Sequence, residues 1–329
     1  MLLPLLWGTL VCGPKPRLFR AEAMKMRVLA DFAMQGRWRA VGAAAGLGAL
    51  GIFLPPVAIL SGAVVALVAL RLGIGQALFV AGVGSVILGG LVLVLMGGSP
   101  LVGIMAGLAQ WLPVVAMGEV LRQSISWRTT LSMAAVVAGA LVLAVRLLVP
   151  DLEAAWVALG MQMVSPFVES GGVEVEELEA ALVTAAPFLT GLLAGMFLFS
   201  MVLSLVIARY WQALLFNPGA FGTEFRSLQL GSGPSVAVVM LALIGHFAGI
   251  PLMLELAFLL AVLFFLQGLA VMHAVTHARD MNSFWLVGMY VLLVLALPQM
   301  FLLIAMIGVI DGVTNLRGRF PVRGQGSGD

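Results

Sequence analysis

Long apolar runs separated by short polar segments dominate the pattern of this chain. A helix rises about 1.5 Å per residue, so roughly 20 residues cross the hydrocarbon core of a bilayer. Backbone polar groups find no water there, so every crossing segment has to be helical. The pattern therefore predicts an all-α, polytopic transmembrane helical bundle. The runs are Val41–Leu70, Ile74–Met96, Leu101–Leu121, Thr130–Val149, Val183–Ala208, Ser235–Ile250, Leu252–Thr276 and Phe284–Ile310.

Prolines interrupt this pattern and leave the number of spans open. Proline removes a backbone donor and disfavours helix at the residue before it. Val41–Leu70 contains Pro55-Pro56. As one helix it would measure about 45 Å, which is longer than the bilayer core is thick, and as two helices it would measure about 22 Å per half, which is shorter. Pro251 and Pro298 raise the same question later in the chain. We expect nine or ten spans, some of them broken by proline.

Composition excludes most alternatives to a membrane protein. Apolar residues make up 62% of the 329 residues and charged residues 10%, whereas a soluble domain has about 25% charged residues. So few charges cannot cover a soluble surface, and the apolar content excludes a disordered chain. The single cysteine, Cys12, excludes an intrachain disulfide. The basic residues are few and dispersed, so we expect the lipid bilayer as partner and no nucleic acid.

The charges are distributed asymmetrically, and this asymmetry predicts the threading because cytoplasmic loops retain Lys and Arg. A hairpin tip at Pro55-Pro56 places every basic island up to Arg279 on one side and leaves only Arg146 near the outer face. Basic residues before the first span are Lys15, Arg17, Arg20, Lys25, Arg27, Arg37 and Arg39; later islands are Arg71, Arg122 with Arg128, Arg209 with Arg226, Arg279, and Arg317 with Arg319 and Arg323. The stretch without basic residues, from Leu147 to Ala208, holds the acids Asp151, Glu153, Glu169, Glu174, Glu176, Glu177 and Glu179.

This threading divides the chain into three parts. They are a basic cytoplasmic segment (1–39), a transmembrane bundle (40–313) and a flexible basic cytoplasmic tail (314–329). The bundle carries an acidic extracytoplasmic loop (150–182) and a cytoplasmic loop (209–234). One helix over Phe284–Ile310 would give nine spans and put the tail outside, whereas a break at Pro298 gives ten spans and puts it inside.

Two shorter segments outside the spans carry predictions of their own. The apolar start Met1–Gly13 precedes its basic residues, which is the reverse of a secretory signal. It is either a short interfacial segment or untranslated, with initiation at Met24 or Met26 and residues 1–23 absent from the protein. In Asp151–Val164, apolar residues share one helical face, which predicts a helix lying on the membrane surface. These residues are Leu152, Trp156, Leu159 and Met163.

Charged and polar residues within the apolar runs are the candidate solute or proton sites, because charges inside a membrane are costly. His246 and Glu255 flank Pro251. A tight hairpin there would let the two side chains face each other near the outer third of the bilayer. Gln110 and Glu119 share one run with Pro113, and a proline-broken helix can frame a binding site. The alternatives are structural hydrogen bonding and, for Glu119, snorkelling to the cytoplasmic surface.

Small residues and histidines supply further patterns. Glycines four apart let helix backbones approach closely, either inside the bundle or at a face for a membrane-protein partner or a second copy. The pairs are Gly42/Gly46, Gly103/Gly107, Gly191/Gly195, Gly245/Gly249 and Gly308/Gly312. His273, His277 and Asp280 share a helix face but lack a fourth ligand, so we expect no metal. No catalytic motif is visible, and we expect no cofactor and no enzymatic activity.

The most distinctive segment is ARYWQALLFNPGAFGTEFRSLQL, Ala208–Leu230. A charge beside two aromatics, Arg209 with Tyr210 and Trp211, is typical of a membrane boundary, and Asn217-Pro218-Gly219 predicts a turn. We expect three phenylalanines after this boundary to reach the headgroup region, with Arg226 near lipid phosphate or Glu224. These are Phe216, Phe221 and Phe225. The segment is either a boundary anchor with a turn or a gating or partner-docking loop.

This segment resembles the signature of the YybS-like bacterial membrane proteins, a family described as a domain of unknown function. Met26–Ala40 and Gly308–Phe320 are similar to that family's start and end. The family is distantly grouped with the substrate-binding S components of energy-coupling-factor transporters, which dock through AxxxA spacings such as Ala40/Ala44 and Ala45/Ala49 here. The resemblance implies a bacterial inner-membrane protein with a small-solute site inside a helical bundle.

Two functions remain open from the sequence. The first is a transport-related bundle that binds a small solute or ion, supported by the broken helices, the polar residues within the spans and the resemblance. The second is a non-catalytic membrane scaffold that partners other proteins in envelope homeostasis, supported by the glycine pairs and the lack of visible chemistry.

Overall fold

The computed structural model describes residues 17–169, 175–282 and 284–319. Met1–Gly13, Glu174 and residues 320–329 of the expected tail lie outside these ranges. Within them the chain forms thirteen α-helices, one short 3₁₀ helix and no strand. The α-helices are α1 (Arg17–Met34), α2 (Arg37–Phe53), α3 (Pro55–Leu72), α4 (Ile74–Met96), α5 (Pro100–Ser124), α6 (Trp127–Leu148), α7 (Leu152–Glu169), α8 (Val175–Phe216), α9 (Ala220–Arg226), α10 (Ser232–Ala248), α11 (Pro251–Ala278), α12 (Phe284–Leu295) and α13 (Leu297–Thr314), and the 3₁₀ helix is Leu316–Arg319.

Within the described residues, seven helices are long and apolar enough to cross a membrane: α3, α4, α5, α6, α8, α11 and α13. The helices α2, α10 and α12 have 17, 17 and 12 residues. The all-α prediction is confirmed for the described residues, and the seven helices are compatible with a membrane-embedded protein. Length and composition alone do not confirm the expected nine or ten spans.

Prolines begin helices at the predicted interruptions. Pro55, Pro251 and Pro298 each lie in the first turn of a helix, where the missing N–H would have no intrahelical acceptor and the fixed φ suits the helix. The residue that precedes each of these helices has backbone angles outside the helical region. Leu54 and Ala296 are two examples. Each of the apolar stretches around these prolines is therefore two helices.

The predicted hairpin at Pro55-Pro56 is present. The Ser61 hydroxyl on α3 donates to Ala44 O on α2 at 2.6 Å, and Gly51 lies against Ala58 across the tip. A Cβ on Gly51 would lie 2.8 Å from Ala58 Cβ, so glycine is what allows this close approach. The two helices therefore run antiparallel from the tip to Ala44 and Ser61.

A second reversal occurs between α12 and α13. On α13, Phe301 lies against Phe258 and Phe265 of α11, and Asp311 further along accepts from Gln267 of α11, so α13 runs parallel to α11 and both finish at the same end of the bundle. The 3₁₀ helix then reaches the segment after α9, where the Arg317 guanidinium donates to two backbone carbonyls. These carbonyls are Arg226 O at 2.6 Å and Leu228 O at 2.8 Å.

The charged residues gather at opposite ends of the bundle. Hydrogen bonds, ring contacts and close glycine contacts show that α3, α5, α8 and α11 run in the same direction. At their carboxyl ends lie Arg71, Arg122, Arg209 and Arg279, and we call this the arginine end. At the other end, which we call the acidic end, α7 begins after Asp151 and α8 begins with Glu176 and Glu177.

The predicted amphipathic helix of the acidic loop forms as α7, but it packs antiparallel against the start of α8. Trp156 Nε1 donates to Thr190 Oγ1 at 2.8 Å, and Gly160 lies against Leu182. Of the predicted apolar face, Leu159 and Met163 remain exposed. With 42 residues, α8 is about 63 Å long, so its first part forms a helical hairpin with α7.

The interior is filled mainly by aliphatic and aromatic side chains. Leu67, Leu205 and Phe264 are fully buried, and α11 is the most enclosed of the long helices, with 72% of its span buried. Among the described residues, the buried side-chain N and O atoms without a partner are Trp211 Nε1 and His273 Nδ1. Most buried polar groups are therefore satisfied inside the protein, as a non-aqueous environment requires.

Candidate functional site

A buried ion pair joins α6 to α11. The Arg146 guanidinium near the end of α6 donates to the Glu255 carboxylate in the second turn of α11, with 2.7 Å between Nε and Oε2. The Glu255 side chain is 1% exposed and that of Arg146 is 19% exposed. Both groups are held inside a mostly apolar bundle, where a single unpaired charge would be costly.

The same ion pair is bonded to the backbone of α8 next to Pro187. The Gly191 amide donates to Glu255 Oε1 at 2.8 Å, and Pro187 O accepts from Arg146 Nη2 at 2.6 Å. An ideal helix joins these two backbone groups to each other in one i→i−4 bond. We call Arg146, Glu255, Pro187 and Gly191 the clasp, because they tie three helices together.

Glycine at position 191 is required by this arrangement. A Cβ there would collide with the Cβ and Cγ atoms of Glu255, so any larger residue would push α11 away from α8. The adjacent Thr190 is bonded to Trp156 of α7. The clasp is therefore flanked at the acidic end by the α7–α8 hairpin.

The expected pairing of His246 with Glu255 does not occur. Glu255 is bonded to Arg146 and Gly191, while His246 is exposed and its ring lies edge-on to Phe247, with 5.1 Å between centroids. Sequence reasoning missed Arg146 as the partner. The signal was present, because Arg146 was the one arginine that the predicted threading left near the outer face.

The other two polar candidates lie apart from the clasp. Gln110 Nε2 donates to Ala58 O at 2.6 Å and so ties α5 to the α2–α3 hairpin. Glu119 binds Arg122 with two hydrogen bonds of 3.0 and 2.7 Å at the arginine end. Pro113 lies inside a continuous α5, so it does not break this helix to frame a site as expected.

A second polar cluster lies at the arginine end, in the distinctive segment Ala208–Leu230. The Arg209 guanidinium donates to both Glu224 oxygens at 2.8 to 3.1 Å and to Gln212 Oε1. Trp127 Nε1 at the start of α6 also donates to Glu224 Oε1, at 2.5 Å. Glu224 therefore links α9 to both α6 and α8.

The predicted turn Asn217-Pro218-Gly219 connects α8 to α9. Gly219 has φ of +94°, a conformation that glycine adopts with little strain. This turn folds α9 back toward the bundle, and the Arg226 carbonyl at the end of α9 accepts from Arg317.

The aromatic residues of this segment are mostly inside the protein, which corrects the expectation of a boundary anchor in the headgroup region. Tyr210, Trp211, Phe221 and Phe225 are 4% exposed or less, and the rings of Phe221 and Phe225 stack at 5.7 Å. Of the three expected phenylalanines, Phe216 is exposed. Burial follows from α9, which turns its apolar face onto α8 and α11.

The polar cluster borders a pocket of about 200 Å³ at the arginine end. Its lining combines apolar walls with charged side chains, and it consists of Leu70, Leu121, Arg122, Ile125, Arg209, Gln212 and Glu224. The Arg71 guanidinium nearby lies 4.0 Å above the Phe216 ring.

A third polar network fixes the end of α13. Asp311 is completely buried and accepts from Arg317 Nη2 at 2.7 Å and from Gln267 Nε2 at 2.8 Å. Gln267 Oε1 in turn accepts from the Leu230 amide at 2.8 Å. The aspartate and arginine of the ending segment thus join α11, α13 and the segment before α10.

In the described part of the chain, the histidines of α11 do not gather with other side chains into a metal-binding set. His273 Nε2 lies 2.8 Å from the Tyr290 hydroxyl on α12, and Asp280 follows the helix end with φ of +49°. Among the described residues, no group of three or more His, Cys, Asp or Glu side chains could hold a metal ion.

Most of the glycine pairs are used inside the bundle. Gly103 and Gly107 pack on α4, Gly191 and Gly195 on α11, Gly245 on Leu254, and Gly308 and Gly312 on α11 and α10. A Cβ on Gly42 or Gly46 would meet nothing within 4 Å. This pair alone among the five leaves both glycines open, on an outer face of α2.

Comparison with known proteins adds no family: no family model, curated protein or solved structure matches the chain.

Proposed function

We propose that this chain is a multi-pass protein of the bacterial inner membrane with a transport-related role, in which the clasp binds a small solute or an ion. The observation that carries the proposal is the buried Arg146–Glu255 pair bonded to α8 at Pro187 and Gly191. Ionisable residues within a membrane are expensive and usually functional.

The clasp contains complementary groups for ligands of either sign. An anionic group can replace the Glu255 carboxylate on the Arg146 guanidinium and the Gly191 amide. A cation can replace Arg146 at the Glu255 carboxylate and at Pro187 O. Binding of either kind would separate α6 from α11, because the ion pair is their polar link at this depth.

We propose ten crossings with the arginine end in the cytoplasm. The arginines at that end support this orientation through the positive-inside rule, and the acids of α7 and α8 then lie outside. The reversal between α12 and α13, together with the contact of Arg317 with Arg226 O, favours a tail on the cytoplasmic side. The crossings are α2, α3, α4, α5, α6, α8, α10, α11, α12 and α13.

Solute binding to the purified protein tests the transport role. We would measure thermal unfolding against a panel of small organic anions, cations and zwitterions, and proton flux into proteoliposomes with an internal pH dye. A ligand that binds the folded state raises its unfolding temperature. We expect at least one solute shift or a flux in the wild type that is lost in Glu255→Gln. Equal behaviour of wild type and variant throughout would contradict the role of the clasp.

The resemblance to the YybS-like family and, through it, to transporter S components supports the same proposal. No motif for catalysis stands in the sequence, so we propose a role without chemical conversion. His246 stays a candidate for solute contact, since it is exposed near the same end. His246→Ala is therefore a second variant for the binding panel.

A non-catalytic membrane scaffold is the second candidate, and the open Gly42/Gly46 face of α2 favours it. Small residues on an outer helix face allow another helix to approach closely. Crosslinking in native membranes with a photoreactive residue at Leu50, which is 55% exposed and one turn after Gly46, would detect a neighbour on this face. A product that Gly46→Leu abolishes would support the scaffold, whereas monomer alone would count against it.

A further inference from the structure

Helix α6 is the least enclosed of the long helices. In its 18-residue apolar segment only 17% of the residues are buried, against 72% in that of α11 and 56% in that of α8. Its outward residues Val136 and Leu143 are 71% and 43% exposed. Side-chain packing along the middle of α6 therefore contributes little to its position in the bundle.

Polar contacts hold α6 at both of its ends. At the arginine end, Trp127 Nε1 donates to Glu224 Oε1 at 2.5 Å. At the acidic end, Arg146 donates to Glu255 Oε2 and to Pro187 O. Thus α6 is anchored by polar contacts at its two ends and is loosely packed between them.

A crevice of about 210 Å³ lies between α6, α5 and α8. Its lining is almost wholly apolar and consists of Pro113, Ala116, Met117, Val120, Thr130, Met133, Ala134, Val137, Ala138, Leu141, Ala194, Phe197, Leu198 and Met201. The Thr130 hydroxyl already donates to Ser126 O at 3.0 Å. From Thr130 to Leu141 the crevice follows α6 for about 16 Å at 1.5 Å per residue.

The size and chemistry of the crevice select its occupant. A helix with its side chains is about 10 Å across, which is too wide for this space. The lining offers almost no hydrogen-bonding group, so a polar solute would lose its water without replacement. The crevice opens beside exposed Met133 and Val137, on the side that faces lipid in the proposed threading.

We propose that this crevice binds one acyl chain of a membrane lipid, which packs beneath α6 between its two polar anchors. The methionines and alanines of the walls suit a flexible aliphatic chain, since Met adapts to irregular apolar shapes. The site is separate from the clasp, because no residue of the clasp lines the crevice. The acyl chain belongs either to a phospholipid or to a free fatty acid.

Photolabelling of the full-length protein in nanodiscs tests this site. One arm uses phosphatidylglycerol with a diazirine in the middle of an acyl chain, and the other uses a diazirine fatty acid. We expect labelled peptides to concentrate at Met117, Met133 and Met201, with the stronger arm identifying the lipid class. Labels distributed evenly over exposed positions such as Val136 in both arms would overturn the proposal.

Matched variants on one helix separate the crevice from the general lipid surface. Ala138→Phe fills the crevice, and we expect it to abolish the concentrated labelling. Val136→Phe adds the same ring on the outward side of α6 and should leave the labelling unchanged. Equal loss in both variants, or no loss in either, would contradict the proposal. Ala116→Phe on the facing wall of α5 repeats the test if Ala138→Phe fails to fold.

Discussion

At the scale of single residues, the clasp shows how a charge is made tolerable inside an apolar bundle. Glu255 accepts one bond from Arg146 and one from a backbone amide, and Arg146 also reaches a backbone carbonyl. Each charge thus exchanges water for several oriented partners. Removing one partner leaves the other buried and uncompensated, so the pair is more sensitive to single than to double substitution.

We expect Glu255→Ala to destabilise the protein by about 3–5 kcal/mol, because it leaves the Arg146 guanidinium without its buried counter-charge. Thermal unfolding of the purified protein in detergent measures this loss. The double variant Arg146→Met/Glu255→Met should recover much of the stability. A double variant as unstable as Glu255→Ala would show that the charges themselves are not the cause.

Ile125 is a strained residue at the arginine end. It ends α5 with φ of +51° and is 85% exposed, although a left-handed conformation costs an L-residue with a Cβ about 1–2 kcal/mol. Glycine is the usual residue in such a helix-ending position. We expect Ile125→Gly to stabilise the protein by about 1 kcal/mol in thermal unfolding. Ile125→Val keeps the branched Cβ and should give no gain.

At the scale of helices, glycine decides where backbones cross. The contact of α11 with α13 passes through Gly268 and Gly308, which lie against main-chain carbonyls of the opposite helix. The open pair on α2 has the same spacing but meets nothing. The same motif in one chain therefore serves as a tight crossing in one place and as an unoccupied surface in another.

This contrast gives a matched pair of variants. In Gly308→Ala the new Cβ would collide with Phe264 O on α11, so the helices must separate, at a cost of about 1–3 kcal/mol for overpacking. In Gly42→Ala the Cβ enters open space, and alanine favours the helix by about 1 kcal/mol. We expect a lower unfolding temperature for the first variant alone. Equal losses in both variants would contradict the packing explanation, because helix propensity favours alanine at both positions.

At the scale of the whole molecule, helix packing collects the basic residues at one end of the bundle and the acidic residues at the other, as the charge pattern of the sequence predicts. The arginines at the ends of α3, α5, α8 and α11 lie together, and the acids of the α7–α8 hairpin lie at the opposite end. Polar networks then fasten the bundle at both ends. One network joins Asp311, Arg317 and Gln267 at the arginine end, and the clasp lies nearer the acidic end. Both consist of largely buried groups that are paired with each other.

Cysteine labelling of intact cells checks the proposed threading. With Cys12 replaced by serine, we expect Glu177→Cys to react with a membrane-impermeant maleimide. Ser227→Cys and Thr314→Cys should react only after permeabilisation, because both lie at the arginine end. All three positions are exposed, so burial does not protect them. Reaction of Thr314→Cys in intact cells would indicate nine crossings rather than ten.

The sequence by itself determined the class of fold, the positions of the helix breaks and the two charged ends. These features follow from local physics. The length of each apolar run predicts a membrane-spanning helix, proline predicts where a helix begins, and the clustering of arginines predicts which helix ends lie together. Only the tertiary structure decided that Glu255 pairs with Arg146 rather than His246, and that Phe221 and Phe225 are buried. Arg146 and Glu255 are separated by 109 positions, and no pattern along the chain specifies which faces of distant helices meet. That choice depends on packing, since the close approach at Gly191 and the bonds to Pro187 O and Gly191 N exist only once three helices are assembled.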